Sequence, residues 1–341
     1  MGPHPAVAAV RFAVRQALSR QPPARLAYAA CSGGADSVAL AAALAFEARA
    51  AHRPAGLVTV DHGLQPDSAQ RAAAVAELGR ELGLDPVLCL TVQVGQDGGP
   101  EAAARTARYA ALQPLAEHGP VLLGHTADDQ AETVLLGLGR GSGLRSIAGM
   151  RPADRGYLRP LLGLRRAVTE AACAAEGLPV WQDPHNADPR FRRVRLRTEV
   201  LPLLEDVLAG GVTEALARTA AQLQDDEDAL RLLTVRLLAE ADQPDGLRVA
   251  VLQDQPAALV SRALKRWAEQ AGAGPLTAEH VGQLHRLVTA WHGQQGVDLP
   301  GGYRAGRASG RLVLSQAGSV RETRPDDRRR PRDETDNVNR R

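Results

Sequence analysis

The chain has 341 residues, 44% of them hydrophobic and 23% charged, and a formal net charge of +2 at pH 7. That length is enough for two domains with cores of their own, and the near-neutral balance leaves any nucleic-acid surface to local clustering of charge. Three widely separated cysteines, Cys31, Cys89 and Cys173, argue against a disulfide framework and against a four-cysteine zinc or iron–sulfur site. No apolar run approaches the roughly 20 residues of a membrane span, so a reducing cytoplasm with no membrane partner is the expected setting.

The first predicted element is an amphipathic helix. In MGPHPAVAAVRFAVRQAL, Val7, Val10, Val14 and Leu18 recur at helical intervals with Arg11 and Arg15 between them, unlike a secretory leader. Apolar runs follow at RLAYAAC, GLVTV, PVLCLTV and PVLLGH, each leading into a longer Ala- or Leu-rich segment. This alternation predicts strand-helix units and an α/β fold whose parallel sheet is covered on both faces. Ligands in such sheets sit beyond the carboxyl ends of the strands. SGGADS, DHGLQPDS and HTADDQAET all fall there.

The first strand enters its helix through Ser32, Gly33, Gly34, Ala35, Asp36 and Ser37. Two glycines let main-chain N–H groups close around an anion, and the helix start adds its own unpaired N–H groups and positive dipole end. The alternative is an ordinary turn with Asp36 as a helix cap. A Walker A loop is excluded, because it needs Lys directly after its last Gly, and the sole lysine, Lys265, stands far away after Leu264. The three spaced glycines of a dinucleotide turn are absent too.

Further along, PEAAARTARYAAL places Glu101, Arg105 and Arg108 near helical spacing, where intrahelical ion pairing is the simple reading. In GHTADDQAET a helix opening at Asp128 sets Asp129 and Glu132 on one face, with His125 in the turn before it. Such a group can hold magnesium, orient an ammonium or handle protons; equally, its acids can serve only to balance the helix dipole. In QDPHNADPRFRRVRLRTEVLPLL, Arg190, Arg192, Arg193, Arg195 and Arg197 fall within eight residues. So dense a positive charge is a candidate contact for a phosphate backbone, or else a solvated helix start.

After about Asp188 helical patterns dominate through Trp291, and Leu216, Leu223, Leu230 and Leu237 recur every seven residues. That stripe reads as a helix-packing seam, with the coiled coil of a homodimer as the alternative. VDLP, YRAG and RLVLS predict a short closing sheet, and from Arg321 the chain is polar and charged, which predicts a disordered tail.

Ser-Gly-Gly-x-Asp-Ser after a strand resembles the pyrophosphate (PP) loop of the ATP-pyrophosphatases, which split ATP into AMP and pyrophosphate. SGGADS, VDHGLQPDS, EAAARTARYAAL, GHTADDQAETVLLGLGRGSGLRSIAGM, RPLL and WQDPHNADPRFRRVRLRTEVLPLL also stand in the order and approximate spacing of the tRNA(Ile)-lysidine synthases. The resemblance is dense from Ala24 to about Leu204 and returns at VDLPGGYRAGRASGRLVLS. It implies a PP-loop catalytic domain over residues 1–188, a mainly helical tRNA-binding domain with a small sheet over 189–318, and the tail over 319–341. It implies a reaction as well: ATP adenylates C2 of the wobble cytidine in an isoleucine tRNA with anticodon CAU, and the amine of free L-lysine then displaces AMP to give lysidine.

On this resemblance Ser32, Gly33, Gly34, Ala35, Asp36 and Ser37 bind the ATP phosphates, Asp36 through Mg2+, for which Asp129 is the second candidate ligand. Val60, Asp61 and His62 border the adenosine. His125, Asp129 and Glu132 surround the reacting centre, where the carboxylates hold the lysine ammonium. Arg105 faces phosphates or tRNA, and Arg193, Arg195 and Arg197 meet tRNA. The chain departs from the family pattern at Thr126, where a second His is common, and at Val194, where an Asn is common; longer relatives add a further C-terminal domain, and after Ser315 only the tail is expected here. A tRNA-thiolating relative would need paired cysteines, and no C-x-x-C occurs. A nucleotide- or tRNA-binding protein without catalysis would not need Asp36, Asp129 and Glu132 together.

Overall fold

In the computed structural model, which describes residues 2–63, 67–95, 99–141, 143–183 and 188–316, the N-terminal amphipathic pattern is helix α1 (Pro5–Ser19). Val7, Val10, Val14 and Leu18 form its buried stripe, and the His4 side chain accepts the Ala6 N–H at its start. The four predicted strands are β1 (Ala27–Ala30), β2 (Ala55–Asp61), β3 (Val87–Thr91) and β4 (Val121–Leu123). Between them run α2 (Ala35–Ala50), α3 (Ser68–Glu81) and α4 (Pro100–His118), and α5 (Ala127–Arg140) and the short α6 (Leu144–Ile147) follow β4.

β1 pairs in parallel with β2 on one side and β4 on the other, with Ala29 opposite Leu57 and Leu122. A hairpin of two-residue strands, β5 (Ala153–Asp154) and β6 (Tyr157–Leu158), completes the order β3-β2-β1-β4-β6-β5. The chain thus steps outward from β1 to β3 and returns on the far side at β4. The carboxyl ends of β1 and β4 therefore flank the switch point where such sheets bind ligands.

Strand alternation sorts the core into two layers. Tyr28, Val58, Val121 and Leu123 pack with Leu112 and Ala116 of α4, whereas Ala29, Leu57 and Leu122 belong to the cluster that contains the buried faces of α1 and α2 and Cys173 of α7 (Arg166–Ala175). α2 is apolar nearly all round, as suits an enclosed helix, and its buried Glu47 is held by Arg15 of α1 at 2.7 Å. The 3-10 turn Pro160–Gly163 precedes α7; after it come α8 (Arg192–Arg195), a π turn (Leu196–Val200), α9 (Leu201–Val207) and the long α10 (Val212–Ala241). α10 carries the seven-residue stripe, with Leu237 buried and Leu216, Leu223 and Leu230 half-buried.

The chain divides into two units, Met1–Glu227 and Asp228–Arg341. In the second, α12 (Ala257–Gln270) and α13 (Ala278–Thr289) follow the hairpin β7 (Asp242–Gln243) and β8 (Gly246–Arg248) and the single turn α11 (Val249–Leu252). The predicted closing sheet is β9 (Val297–Leu299), β10 (Tyr303–Ala308) and β11 (Arg311–Gln316), and the full order is β7-β8-β11-β10-β9. Leu264, Leu284, Leu287 and Leu312 are at the centre of its core. The charged tail expected over 319–341 lies outside the described residues. No helix among the described residues is long and apolar enough to cross a membrane.

Candidate active site

At the end of β1 the chain turns through Gly33, whose φ of +90° is open to glycine and strained for other residues. Its carbonyl accepts the Trp181 N–H at 2.9 Å, which ties the loop to the segment after α7. The helix cap is Gly34, and α2 itself begins at Ala35, so Asp36 lies inside the first turn and is not the cap. A Cβ on Gly34 would meet nothing within 4 Å. The Ser37 hydroxyl folds the loop onto its own helix, donating to the Gly34 carbonyl at 2.9 Å and accepting the Ser32 N–H at 3.1 Å. Opposite, Gly124 at the end of β4 lets the strand approach α2 so closely that a Cβ would stand 3.0 Å from the Asp36 carbonyl.

This turn opens on a cavity of about 1140 Å³. Ser32, Gly34, Asp36 and Ser37 line its loop end; Val60, Asp61 and His62 come from β2, and His125 from the turn after β4. Asp129, Arg166 and Arg197 also line the cavity. Asp61 holds the Gly63 N–H at 2.9 Å, a bond that, with Ser68, keeps its carboxyl below the usual range. Burial lowers the His62 pKa, and it holds that of His125 down to about 3, so both rings are neutral at neutral pH.

A charge network runs beneath the cavity. Arg166 at the start of α7 donates through Nε to Asp36 and through a terminal nitrogen to Asp129, each at 2.9 Å. Thr169 donates to the other oxygen of Asp36. Asp129 also reaches back along α5, accepting the Thr126 N–H at 2.8 Å and its hydroxyl at 3.0 Å. Arg197 donates to Glu132 at 2.7 and 2.8 Å and approaches Asp129 at 3.6 Å. Burial raises the Asp36 and Glu132 carboxyls, only partly offset by Arg166 and Arg197 respectively. Burial pushes on Asp129 too, but Arg166 and the Thr126 N–H outweigh it and hold that carboxyl below its ordinary value.

The structure separates residues that share a sequence motif. Asp128 is structural: it accepts the Arg166 N–H at 2.8 Å and pairs with Arg165, which also reaches Glu214 at 2.8 Å. Asp129 lines the cavity, whereas Glu132 is fully buried behind Arg197. Arg105 is exposed, with its guanidinium 4.9 Å above the Tyr109 ring, and Arg108, not Arg105, lines the cavity.

The arginine cluster does not depend on an external anion for charge balance. Arg190 pairs with Asp188 at 2.6 Å, Arg195 with Glu199 at 2.8 Å, and Arg193 and Arg197 with Glu132. Arg193 and Arg197 thus belong to the network, while Arg190, Arg192 and Arg195 remain exposed. Sequence reasoning missed Arg166 and Thr169, the two groups that hold Asp36, because LRRAVTEAA carries nothing to distinguish it from any basic helix start.

A divalent ion shared by Asp36 and Asp129 does not fit this arrangement. Each of their four oxygens already has a partner in Arg166, Thr169 or Thr126. Among the described residues no cluster of three His, Cys, Asp or Glu is placed to hold a metal. The cavity does combine a backbone loop at a helix start, suited to phosphate, with an ionised carboxylate suited to a cation.

Comparison with known proteins agrees with this geometry. A family model described as a PP-loop domain matches residues 9–204, and one described as the TilS substrate binding domain matches residues 247–313. The tRNA(Ile)-lysidine synthase of Thermobifida fusca is 53% identical over 92% of this chain and 99% of its own. That of Streptomyces coelicolor is 52% identical over 93% of this chain and 100% of its own. Among solved structures, the U34-tRNA thiolase NcsA from Methanococcus maripaludis shares the fold, with a TM-score of 0.51 at 16% identity over 64% of this chain and 80% of that one.

Proposed function

The chain belongs to the tRNA(Ile)-lysidine synthase family, and we propose that the cavity at the carboxyl edge of its parallel sheet holds both small substrates of that enzyme's reaction. The enzyme forms lysidine on an isoleucine tRNA and uses ATP to do so. The observation that carries the assignment is that Asp129, an ionised carboxylate, stands on the wall of the cavity that the phosphate loop opens into.

Ser32, Gly33, Gly34, Ala35 and Ser37 take the phosphates on main-chain N–H groups and the positive end of α2, while Val60, Asp61 and His62 border the adenosine. Magnesium carried on ATP would be held by the phosphate oxygens and would screen their charge. The C2 oxygen of the wobble cytidine in the CAU anticodon attacks the α-phosphorus, and pyrophosphate leaves. Arg166 keeps Asp36 and Asp129 in register at this stage, so that neither is an uncompensated buried charge.

Free L-lysine then attacks C2, and AMP leaves with the oxygen. An ammonium has no lone pair, so a group at the site must bind the cation and accept its proton. Asp129 does both. Glu132 acts from behind, fixing Arg197 against the same carboxylate. His125, neutral and weakly basic, is a hydrogen-bonding group and does not store the proton.

Exposed Arg190, Arg192 and Arg195, with the region 189–318, are assigned to the tRNA. The setting is the cytoplasm, and the stripe on α10 remains the candidate seam should the protein act as a homodimer. The test is mass analysis of anticodon nucleosides after incubation with ATP, L-lysine and the CAU isoleucine tRNA. Conversion of the wobble cytidine to lysidine is expected. Nucleotide binding with an unaltered cytidine would reduce the protein to a binder without catalysis.

A further inference from the structure

One stretch of the cavity wall differs in kind from the network. Arg108, on α4, lines the cavity and is half-buried, yet among the described residues it meets no carboxylate and no hydrogen-bond acceptor. Its guanidinium lies 5.8 Å from the Tyr109 ring. The other cations of the wall are engaged: Arg166 by Asp36 and Asp129, Arg197 by Glu132, and Arg71 by stacking 4.4 Å from the Trp181 ring. A guanidinium stays charged at any physiological pH, so a partly desolvated one without a partner is costly unless something binds it.

Two further groups are unsatisfied on the same wall. His62 and His125, at the carboxyl ends of β2 and β4, each bury an Nδ1 that has no hydrogen-bond partner. Burial lowers both imidazole pKa values first of all, and the Arg108 charge adds to the effect in each. A neutral imidazole still carries one N–H donor, and a guanidinium carries five.

We propose that Arg108, sharing the cavity wall with His62 and His125, is an oxyanion-binding residue that takes a carboxylate or phosphate oxygen of a small substrate. The inference rests on the reading of this cavity as the ATP and lysine site. Both substrates carry such a group, since lysine brings an α-carboxylate as well as its ammonium. The phosphate loop already supplies main-chain donors for phosphate, whereas among the described residues that line the cavity no other arginine is unpaired beyond the stacked Arg71.

The experiment is calorimetric titration of the full chain and of Arg108→Gln with three probes: a non-hydrolysable ATP analogue with magnesium, L-lysine, and 1,5-diaminopentane, which has lysine's amines without its carboxylate. If Arg108 holds the carboxylate, the variant binds lysine about 10- to 100-fold more weakly, the loss expected for a charged hydrogen bond, and binds the diamine unchanged. If it holds a phosphate, the same loss appears with the ATP analogue instead. Should Arg108→Gln melt early, Arg108→Lys keeps the charge and is expected to restore part of the lost affinity. A wild type that binds both the analogue and lysine, with a folded variant that binds each equally well, overturns this inference alone. A wild type that binds neither overturns the reading of the cavity and this inference with it.

Discussion

The turn over residues 31–37 and the network of Asp36, Asp129, Glu132, Arg166 and Arg197 border the same cavity, yet they are built from different materials. The turn is backbone, folded on itself by Ser37 within seven residues. The network is side chains drawn from α2, α5, α7 and the π turn. Backbone N–H groups survive every substitution but proline, so the phosphate end tolerates changes of side chain that leave the turn intact. The network fails when its bridging arginine is lost, because the desolvated carboxylates left behind lose their closest counter-ion.

Breaking the network at its bridge gives the largest expected effect. Arg166→Ala strands Asp36 and Asp129 together and should lower stability by about 3–5 kcal/mol, read by chemical denaturation. A variant of wild-type stability would mean that the bridge contributes nothing to the fold. Asp36→Ala removes one carboxylate and leaves Arg166 paired with Asp129, so its effect belongs to the chemistry. Pyrophosphate release should fall about a hundredfold, or ~3 kcal/mol; near-wild-type release would take Asp36 out of the mechanism.

His125 sharpens the contrast through pH. Its folded pKa lies near 3, against an ordinary 6.5. As pH falls, the unfolded chain takes up that proton first, so stability is full above pH 6.5 and declines between 6.5 and about 3. His125→Gln should flatten this decline in melting temperatures measured from pH 7 to 4.5, and an unchanged slope would show that the ring titrates normally. The smallest effect is at the surface. Arg195 pairs only with exposed Glu199 four residues away, so Arg195→Ala should leave the melting temperature where it is. It should still lower the salt slope of tRNA binding by about 0.7 to 0.9. Arg197→Ala, made beside it, should destabilise the fold, since its partner Glu132 is fully buried.

The turn was legible in the sequence for the reason that it is local. SGGADS holds every residue the loop needs, and the strands β1 to β4 announce themselves as apolar runs. The network was only half legible. Asp129 and Glu132 stood out as acids on one face, but nothing local tells a cavity carboxylate from a buried one, and Asp128 beside them caps α7 instead. Arg105 and Arg108 are three residues apart on α4, and helix rotation alone does not decide which faces the cavity. Arg193 and Arg197 looked uncompensated because Glu132, their counter-ion, lies more than 60 residues upstream. The β5–β6 and β7–β8 hairpins escaped notice because strands of two or three residues carry no alternation to detect.

One cavity is proposed to serve both steps, with adenylation at the phosphate loop and lysine transfer at Asp129. Single-turnover analysis of Asp129→Asn tests it most directly, with adenylated tRNA and lysidine both quantified, first with ATP alone and then after L-lysine is added. The variant should accumulate adenylated tRNA within about tenfold of the wild-type rate and then discharge it to lysine about a hundredfold more slowly. A variant that adenylates poorly yet uses lysine normally once adenylated tRNA is supplied would contradict it, and would move Asp129 to the ATP end of the cavity.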